Sequence, residues 1–381
     1  MKRSVFSILS VFLLLIPLTL TLPKPEDWVV LKQFEGVSCI SKQFIVGGRG
    51  WILGKHSDKG DLILRTTDGG QTWSEHFIKP EADDTFDFRV IHFIDDKEGW
   101  ITGGGSYDIK TEGFKAKSLI YHTVDGGIHW EPLPMVIENN PFTNPLINKV
   151  TFNEIFSIDS REGWMTAYAE GIDFHGPYGE TAAFHTFDGG KTWVVQERNI
   201  WFIDPPRLFF FSSGEEGWMI GNYIYHITNW GNNWSKVCLN KPRSYLCWEA
   251  SYIIFSSPME GWLMGTDAVH YTQDGGVTWE TRQHHLGGTP VRGSFRNEKD
   301  GWLVKGDGKL YHTPDGGKTW QMLSDGGLKF PFGLGSAHYL PMKGRIITSA
   351  SGSLLMYAHP VIGIQPAGER PTTWGRLKSN P

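Results

Sequence analysis

From Val29 onward the chain alternates between short apolar runs and polar turns a few residues long. One stretch shows the pattern in full. "FRVIHFI" at 88–94 is apolar and rich in β-branched and aromatic residues, "GWITGGG" follows at 99–105, then "SLIYHT" at 118–123 and "HWEPL" at 129–133. Four strands are predicted, with "DDKE" turning the first pair and "VDGG" the last. Asp-Gly between apolar runs supplies the positive φ angles that tight hairpin turns need. The Asp side chain of such a turn also accepts hydrogen bonds from nearby backbone N–H groups.

The same phrase returns along the chain. It reads "RTTDGGQTW" ending at Trp73, "YHTVDGGIHW" at Trp130, "FHTFDGGKTW" at Trp193, "YHITNWGNNW" at Trp234, "YTQDGGVTW" at Trp279 and "YHTPDGGKTW" at Trp320. A "GW" followed by apolar and small residues precedes each, at Trp51, Trp100, Trp164, Trp218, Trp262 and Trp302. A site that does chemistry is needed once, so this repetition points to architecture. Self-similarity at this period marks a propeller or a solenoid. Asp68, Asp125, Asp188, Asp274 and Asp315, with Asn229 in the degraded copy, are read as turn-closing residues, and each box Trp as a ring buried against the sheet. Calcium binding is the weaker reading, because each box offers one carboxylate where the ion takes six or more oxygens. No metal site and no cofactor are expected.

A seventh unit, "GSAHYLPMKGRIITSASGSLLMYAHP", lacks the box and a fourth strand, and "EDWVVLKQF" at Glu26–Phe34 offers one. The expectation is an all-β, seven-bladed β-propeller over 26–360 whose last blade is closed by an N-terminal strand, leaving no free sheet edge.

The box pattern Ser/Thr-x-Asp-x-Gly-x-Thr-Trp resembles the BNR or Asp-box family. Thr66–Trp73, Thr186–Trp193, Thr272–Trp279 and Thr313–Trp320 match it in full, Thr123–Trp130 departs at His129, and Ile227–Trp234 keeps Gly231 and Trp234. The alternation of "EGW" with "DGGxTW" most resembles the photosystem II stability/assembly factor group. That resemblance implies an exported or lumenal seven-bladed propeller acting as an assembly chaperone. Sialidases and other glycosidases share the box, so it specifies no function by itself.

Composition narrows the partners. The chain has 381 residues, 46 Gly, 21 Pro and 17 Trp, and a formal net charge of −5, with no basic stripe, so nucleic acid is not expected. Residues 1–22 carry Lys2 and Arg3, then an apolar run broken by Pro17, and read as a signal peptide; an uncleaved anchor is the alternative. Export places the protein in the periplasm or outside the cell. Of three cysteines, Cys238 and Cys247 could bridge there, or all three could be buried thiols. Residues 361–381 are Pro-rich and polar and read as a flexible tail.

Strand order sorts the loops. Turns between first and second strands, and the boxes, share one end of the blades, which looks acidic and structural. The other end carries individual loops such as "GGSYDIKTEGFKAKS" and "AEGIDFHGPYGET", where binding usually resides. Arg89 and Arg207 lie eleven residues before Trp100 and Trp218, and Arg292 ten before Trp302, each at the start of an innermost strand. Arginine forks suit a carboxylate, hence an acidic peptide or a sugar acid. Local pairing with Asp87 or Asp204 is the bland alternative. Arg243, Tyr245 and His284 could extend the surface. The partner expected is a protein, as an acidic peptide or a membrane-protein segment, held by a monomer. The alternative is a sialidase-like glycoside hydrolase acting on carbohydrate. That would need a Tyr nucleophile with its Glu and an acid, and Glu249 and Tyr252 are the nearest sequence pair.

Overall fold

The computed structural model describes residues 29–360 except 46, 79–86, 109–112, 115–119, 143–146, 174–175, 199–207, 212–214, 221–223, 238–249, 258, 266–267, 285–291, 296, 306–308, 325–333, 341–344 and 351–353. The signal peptide, the tail, Arg207, Arg243, Tyr245 and the Cys238–Cys247 pair lie outside the described residues; the Cys39 thiol donates to Ser41 O at 3.9 Å. Among the described residues every regular element is a strand.

Each repeat folds as an antiparallel meander in chain order, because short turns leave each strand no neighbour nearer than the next. Val37–Ile45, Arg49–His56, Gly60–Thr66 and Ser74–Phe77 form the first sheet. Leu208–Phe211, Gly217–Ile220, Ile224–Thr228 and Asn233–Val237 form another. Ala250–Phe255 to Glu280–His284 and Arg292–Phe295 to Gln321–Ser324 repeat the arrangement. Leu334–Leu340, Arg345–Ala350 and Leu354–Pro360 make three strands of a sheet whose fourth is Val29–Phe34, paired antiparallel to Leu354–Pro360.

Two repeats merge into one ten-stranded sheet. Gly99–Asp108 pairs first with Asp87–Phe93 and Ile120–Thr123, and then Gly104, Gly105 and Ser106 pair with Thr151, Val150 and Lys149 of the next repeat. A Cβ at Gly104 would lie 2.6 Å from Thr151 Oγ1, so the Gly-rich run lets the strand reach its neighbour. Three stretches read as loops or connections are strand in part. Within "GGSYDIKTEGFKAKS", Tyr107 and Asp108 pair with Phe114 and Gly113. Gly163–Asp173 and Gly176–Thr186 pair from Gly163↔Thr186 out to Asp173↔Gly176, through most of "AEGIDFHGPYGET". Val136–Glu138, in a connection, lies parallel to Thr192–Arg198.

The first strands touch in sequence around a ring: Val37–Ile45, Asp87–Phe93, Ile147–Ser157, Leu208–Phe211, Ala250–Phe255, Arg292–Phe295 and Leu334–Leu340, which meets Val37–Ile45 again. The core lies in the seams between these sheets. All six "GW" tryptophans are buried. Trp51 stacks on Phe93 of the next sheet at 3.7 Å and 8°, and Trp262 on Phe295 at 3.8 Å and 8°. Such ring pairs add about 0.5–1.5 kcal/mol beyond area burial.

Candidate functional site

At one end of the sheets the box turns share one geometry. In the first, Thr66 Oγ1–H donates to Asp68 Oδ1 at 2.9 Å, as do the N–H groups of Gln71 and Thr72, each at 2.9 Å. Thr72 Oγ1–H donates to Oδ2 at 2.6 Å, and Trp73 Nε1–H to Gly70 O at 2.9 Å. Asp125, Asp188, Asp274 and Asp315 repeat the Thr-hydroxyl and backbone bonds, with His129 Nδ1 replacing the second hydroxyl at Asp125. Partial burial pushes the Asp68 carboxyl up, but the Thr72 hydroxyl and N–H, with Thr66 and Gln71, outweigh it and hold it at about 2. Asp125, Asp188 and Asp315 are lowered by the same contest, and Asp274 chiefly by the Thr278 hydroxyl. The first glycine of a box donates to the turn between first and second strands: Gly126 to Lys97 O at 2.7 Å, Gly189 to Arg161 O at 2.8 Å. Both turn sets therefore occupy one end. Across the seams, Trp51 Nε1–H donates to Gly126 O at 2.7 Å and Trp262 Nε1–H to Gly316 O at 2.8 Å.

The fourth box differs. Asn229 and Trp230 both have positive φ, 53° and 57°, so an indole stands where other boxes have glycine. That conformation costs a non-glycine residue about 1–2 kcal/mol. The turn keeps the Trp234 Nε1–H bond to Gly231 O at 2.8 Å.

A second repeated constellation escaped the sequence reading. In five of the six repeats the acid before "GW" meets the His or Tyr at the end of the strand leading into the box, one strand over; the first repeat has Arg49 and Arg65 at these positions. Glu98 Oε1 lies 3.1 Å from His122 Nε2, Glu162 Oε1 3.1 Å from His185 Nε2, and Glu216 Oε1 2.6 Å from His226 Nε2. Tyr271 O–H donates to Glu260 at 2.9 Å, and His312 Nε2 pairs with Asp300 at 2.5 Å. Each ring then covers its Trp: His185 stacks on Trp164 at 4.0 Å and His226 on Trp218 at 4.3 Å. "YHT" and "EGW" recurring in step were the available signal.

The opposite end holds the arginine candidates. Arg89 is half-exposed, with Nη2 3.9 Å from Asp87 Oδ2, and Lys55 Nζ approaches Asp87 Oδ1 at 3.8 Å. Asp61 is close enough to these charges to feel them: burial raises its carboxyl pKa, Lys55 lowers it and Asp87 raises it again. The pairing between Asp87–Phe93 and Gly99–Asp108 slips between Phe88 and Val90, so Arg89 occupies a bulge. The same slip falls between Cys39 and Ser41, between Phe152 and Glu154, between Ala250 and Tyr252 and between Leu334 and Ser336. Arg292 sits differently, inside the ladder opposite Val304. His284 ends the strand Glu280–His284, opposite Ala268. Arg207, Arg243, Tyr245 and Glu249 lie outside the described residues.

The family described as "Photosynthesis system II assembly factor YCF48" matches residues 26–135 and 249–324. The photosystem II stability/assembly factor HCF136, chloroplastic, of Arabidopsis thaliana is 24% identical over 296 residues, 71% of this chain and 64% of that protein. The solved structure "YCF48 bound to D1 peptide" is 19% identical, with a TM-score of 0.59, covering 89% of this chain and 99% of the other. The chain folds as a propeller and resembles the photosystem II assembly factors of BNR repeats. YCF48 from Cyanidioschyzon merolae, 17% identical, superposes with a TM-score of 0.60 over 88% of this chain and 99% of that one. The structural likeness speaks for the fold, and the chain spans 64% of the Arabidopsis relative's length.

Proposed function

We propose that the chain is an exported, non-catalytic assembly or stability factor. It is a seven-bladed propeller closed by Val29–Phe34, and it holds a segment of a protein partner on the end opposite the box turns. The ring of first-strand contacts supports the blade count. The observation that carries the binding end is Arg89: an exposed guanidinium on a bulge of an innermost strand, held to Asp87 at a loose 3.9 Å. Bulges re-aim side chains and recur beside functional sites. An incoming carboxylate can take the fork bidentately, which Asp87 does not. Arg207 precedes Leu208, whose partner Ile220 lies two past Trp218, just as Val90, the residue after Arg89, pairs with Thr102, two past Trp100. Arg292 is one step inside that level. Arg243, Tyr245 and His284 extend the surface in this reading.

The partner is an acidic peptide or a membrane-protein segment, a reading to which the solved YCF48 with its D1 peptide and the stability/assembly name of the Arabidopsis relative lend support. The test is a cross-linked pull-down from the host's envelope with wild type and with Arg89→Ala, Arg207→Ala and Arg292→Ala combined, after equal melting has been verified. Loss of a discrete protein from the variant bait is expected. Recovery of the same proteins by both baits sinks the arginine site.

A further inference from the structure

The end carrying the box turns was read as structural, yet it exposes apolar side chains in a row. Val124 and Ile128 flank the second box, Phe187 the third, and Trp230 the fourth, while Met259 and Val277 stand together on the next sheet. The corresponding positions in the first box are Thr67 and Gln71, and in the sixth Pro314 and Lys318, so the row is confined to four consecutive repeats. Its centre is an aromatic pair. Phe187 and Trp230, 49% and 38% exposed, meet across a seam with ring centroids 6.4 Å apart and planes at 48°. Behind Phe187 lies His185 at 4.1 Å, itself stacked on the buried Trp164.

Two further facts mark this pair. Trp230 occupies a left-handed position that glycine fills in the other boxes, so an indole is displayed against the backbone's preference. The surroundings are predominantly acidic: Asp159, Glu162, Asp188, Glu215 and Glu216 outnumber Arg161 and Lys191 on the same turns. The box aspartates and Asp159 spend their oxygens on N–H and O–H donors, which satisfy hydrogen bonds and cancel no charge. Glu215 is exposed, and its carbonyl accepts the Trp230 N–H at 3.4 Å, tying the acid's turn to the indole. Aromatic faces beside carboxylates suit a cation with an apolar stem, and contiguous exposed apolar surface marks contact sites.

We propose that Phe187, Trp230 and Glu215 form a second docking site, for a protein segment presenting Lys or Arg beside apolar residues. It lies at the opposite end from the arginines and takes a partner of opposite charge, so it stands independently of the site proposed above.

The experiment uses the full chain and two fluorescein-labelled peptides, one alternating Leu and Arg and one alternating Leu and Glu, read by fluorescence anisotropy in 50 and 300 mM salt. Trp230→Gly restores the box residue and is expected to keep or raise Tm while weakening the Leu/Arg peptide at least tenfold. Phe187→Thr, which takes the residue of the first box, reads the same site where Trp230→Gly fails to fold. Glu215→Lys is expected to weaken binding severalfold and flatten its salt dependence, and the Leu/Glu peptide to bind wild type at least tenfold more weakly. Unchanged binding in Trp230→Gly or Phe187→Thr overturns the site. So does equal affinity for both peptides, no binding of the Leu/Arg peptide, or a competing oligosaccharide bound at the pair in its place.

Discussion

His92 makes one seam of the propeller sensitive to mild acid. It lies on Asp87–Phe93, and its Nε2 accepts the Ser157 N–H at 3.0 Å across to the next first strand, with the Phe156 ring 5.4 Å away. Burial pushes its pKa down from 6.5 to about 4, with the Ser157 backbone pulling the other way. A folded pKa below the unfolded one means that the unfolded chain takes up the proton first as pH falls. The His92 contribution is therefore complete above pH 6.5, declines between 6.5 and about 4, and is gone below that. At 1.36 kcal/mol per pKa unit this is at most about 3 kcal/mol, less where the ring reaches solvent. His92→Gln keeps an acceptor for Ser157 and removes the titration. Guanidinium unfolding of both proteins from pH 8 to pH 4 isolates the effect, because the other groups cancel in the difference. Wild type should lose stability relative to His92→Gln by up to about 3 kcal/mol, all of it below pH 6.5. Parallel curves across that window would show that the ring protonates freely in the folded state, and the seam argument would fail.

Asp68→Asn should cost about 1–2 kcal/mol at pH 7, since it forfeits charge-assisted bonds from Thr66, Gln71 and Thr72. Because the folded carboxyl is depressed to about 2, the gap from wild type should shrink as pH falls from about 4 toward 2, which acid-range denaturant melts can follow. Gly126→Ala places a Cβ 2.7 Å from Asp96 O at a φ of +77°, and thermal melts should show a loss of about 1–3 kcal/mol. His185→Phe leaves the Glu162 carboxylate without its ring partner at a buried site, an expected cost of about 2 kcal/mol. Adding Glu162→Gln should recover part of that, and strictly additive losses in the double-mutant cycle would show that the two do not interact.

The meanders were legible in the sequence because their cues are local. A box turn specifies its own hydrogen bonds within eight residues, and Trp51 or Trp262 needs only a sheet beside it to be buried. The acid–ring pairs were illegible because Glu162 and His185 sit 23 positions apart and become neighbours only through register. The merged sheet hid for a similar reason: Gly104 reads as the end of its own repeat's strand until Thr151 arrives to use the space. The extension of Gly163–Asp173 past Ala169 was missed because Gly and Asp there signal a turn locally, whereas the partner strand continues to pair with them. At the arginine end, sequence spacing put Arg89 and Arg292 on one footing. A bulge in one strand and an intact ladder in the other separate them.

The two ends of the propeller owe their different character to strand order. Where first strands run into second strands the turn is tight, as from Phe93↔Gly99, and the box turn packs against it through bonds such as Gly126 to Lys97. That end has little freedom to vary its backbone, so any recognition there must come from side chains at the solvent positions of fixed turns, which is where Phe187 and Trp230 stand. At the other end an extra residue in a first strand can be absorbed as a bulge without disturbing the seam below. Slips beside Ile40, Arg89, Asn153, Ser251 and Gly335, in five of the sheets' first strands, show that freedom being used at one level of the ring. A substitution at the box end therefore changes surface chemistry on a rigid frame, whereas one at the bulge level also changes where its neighbours point.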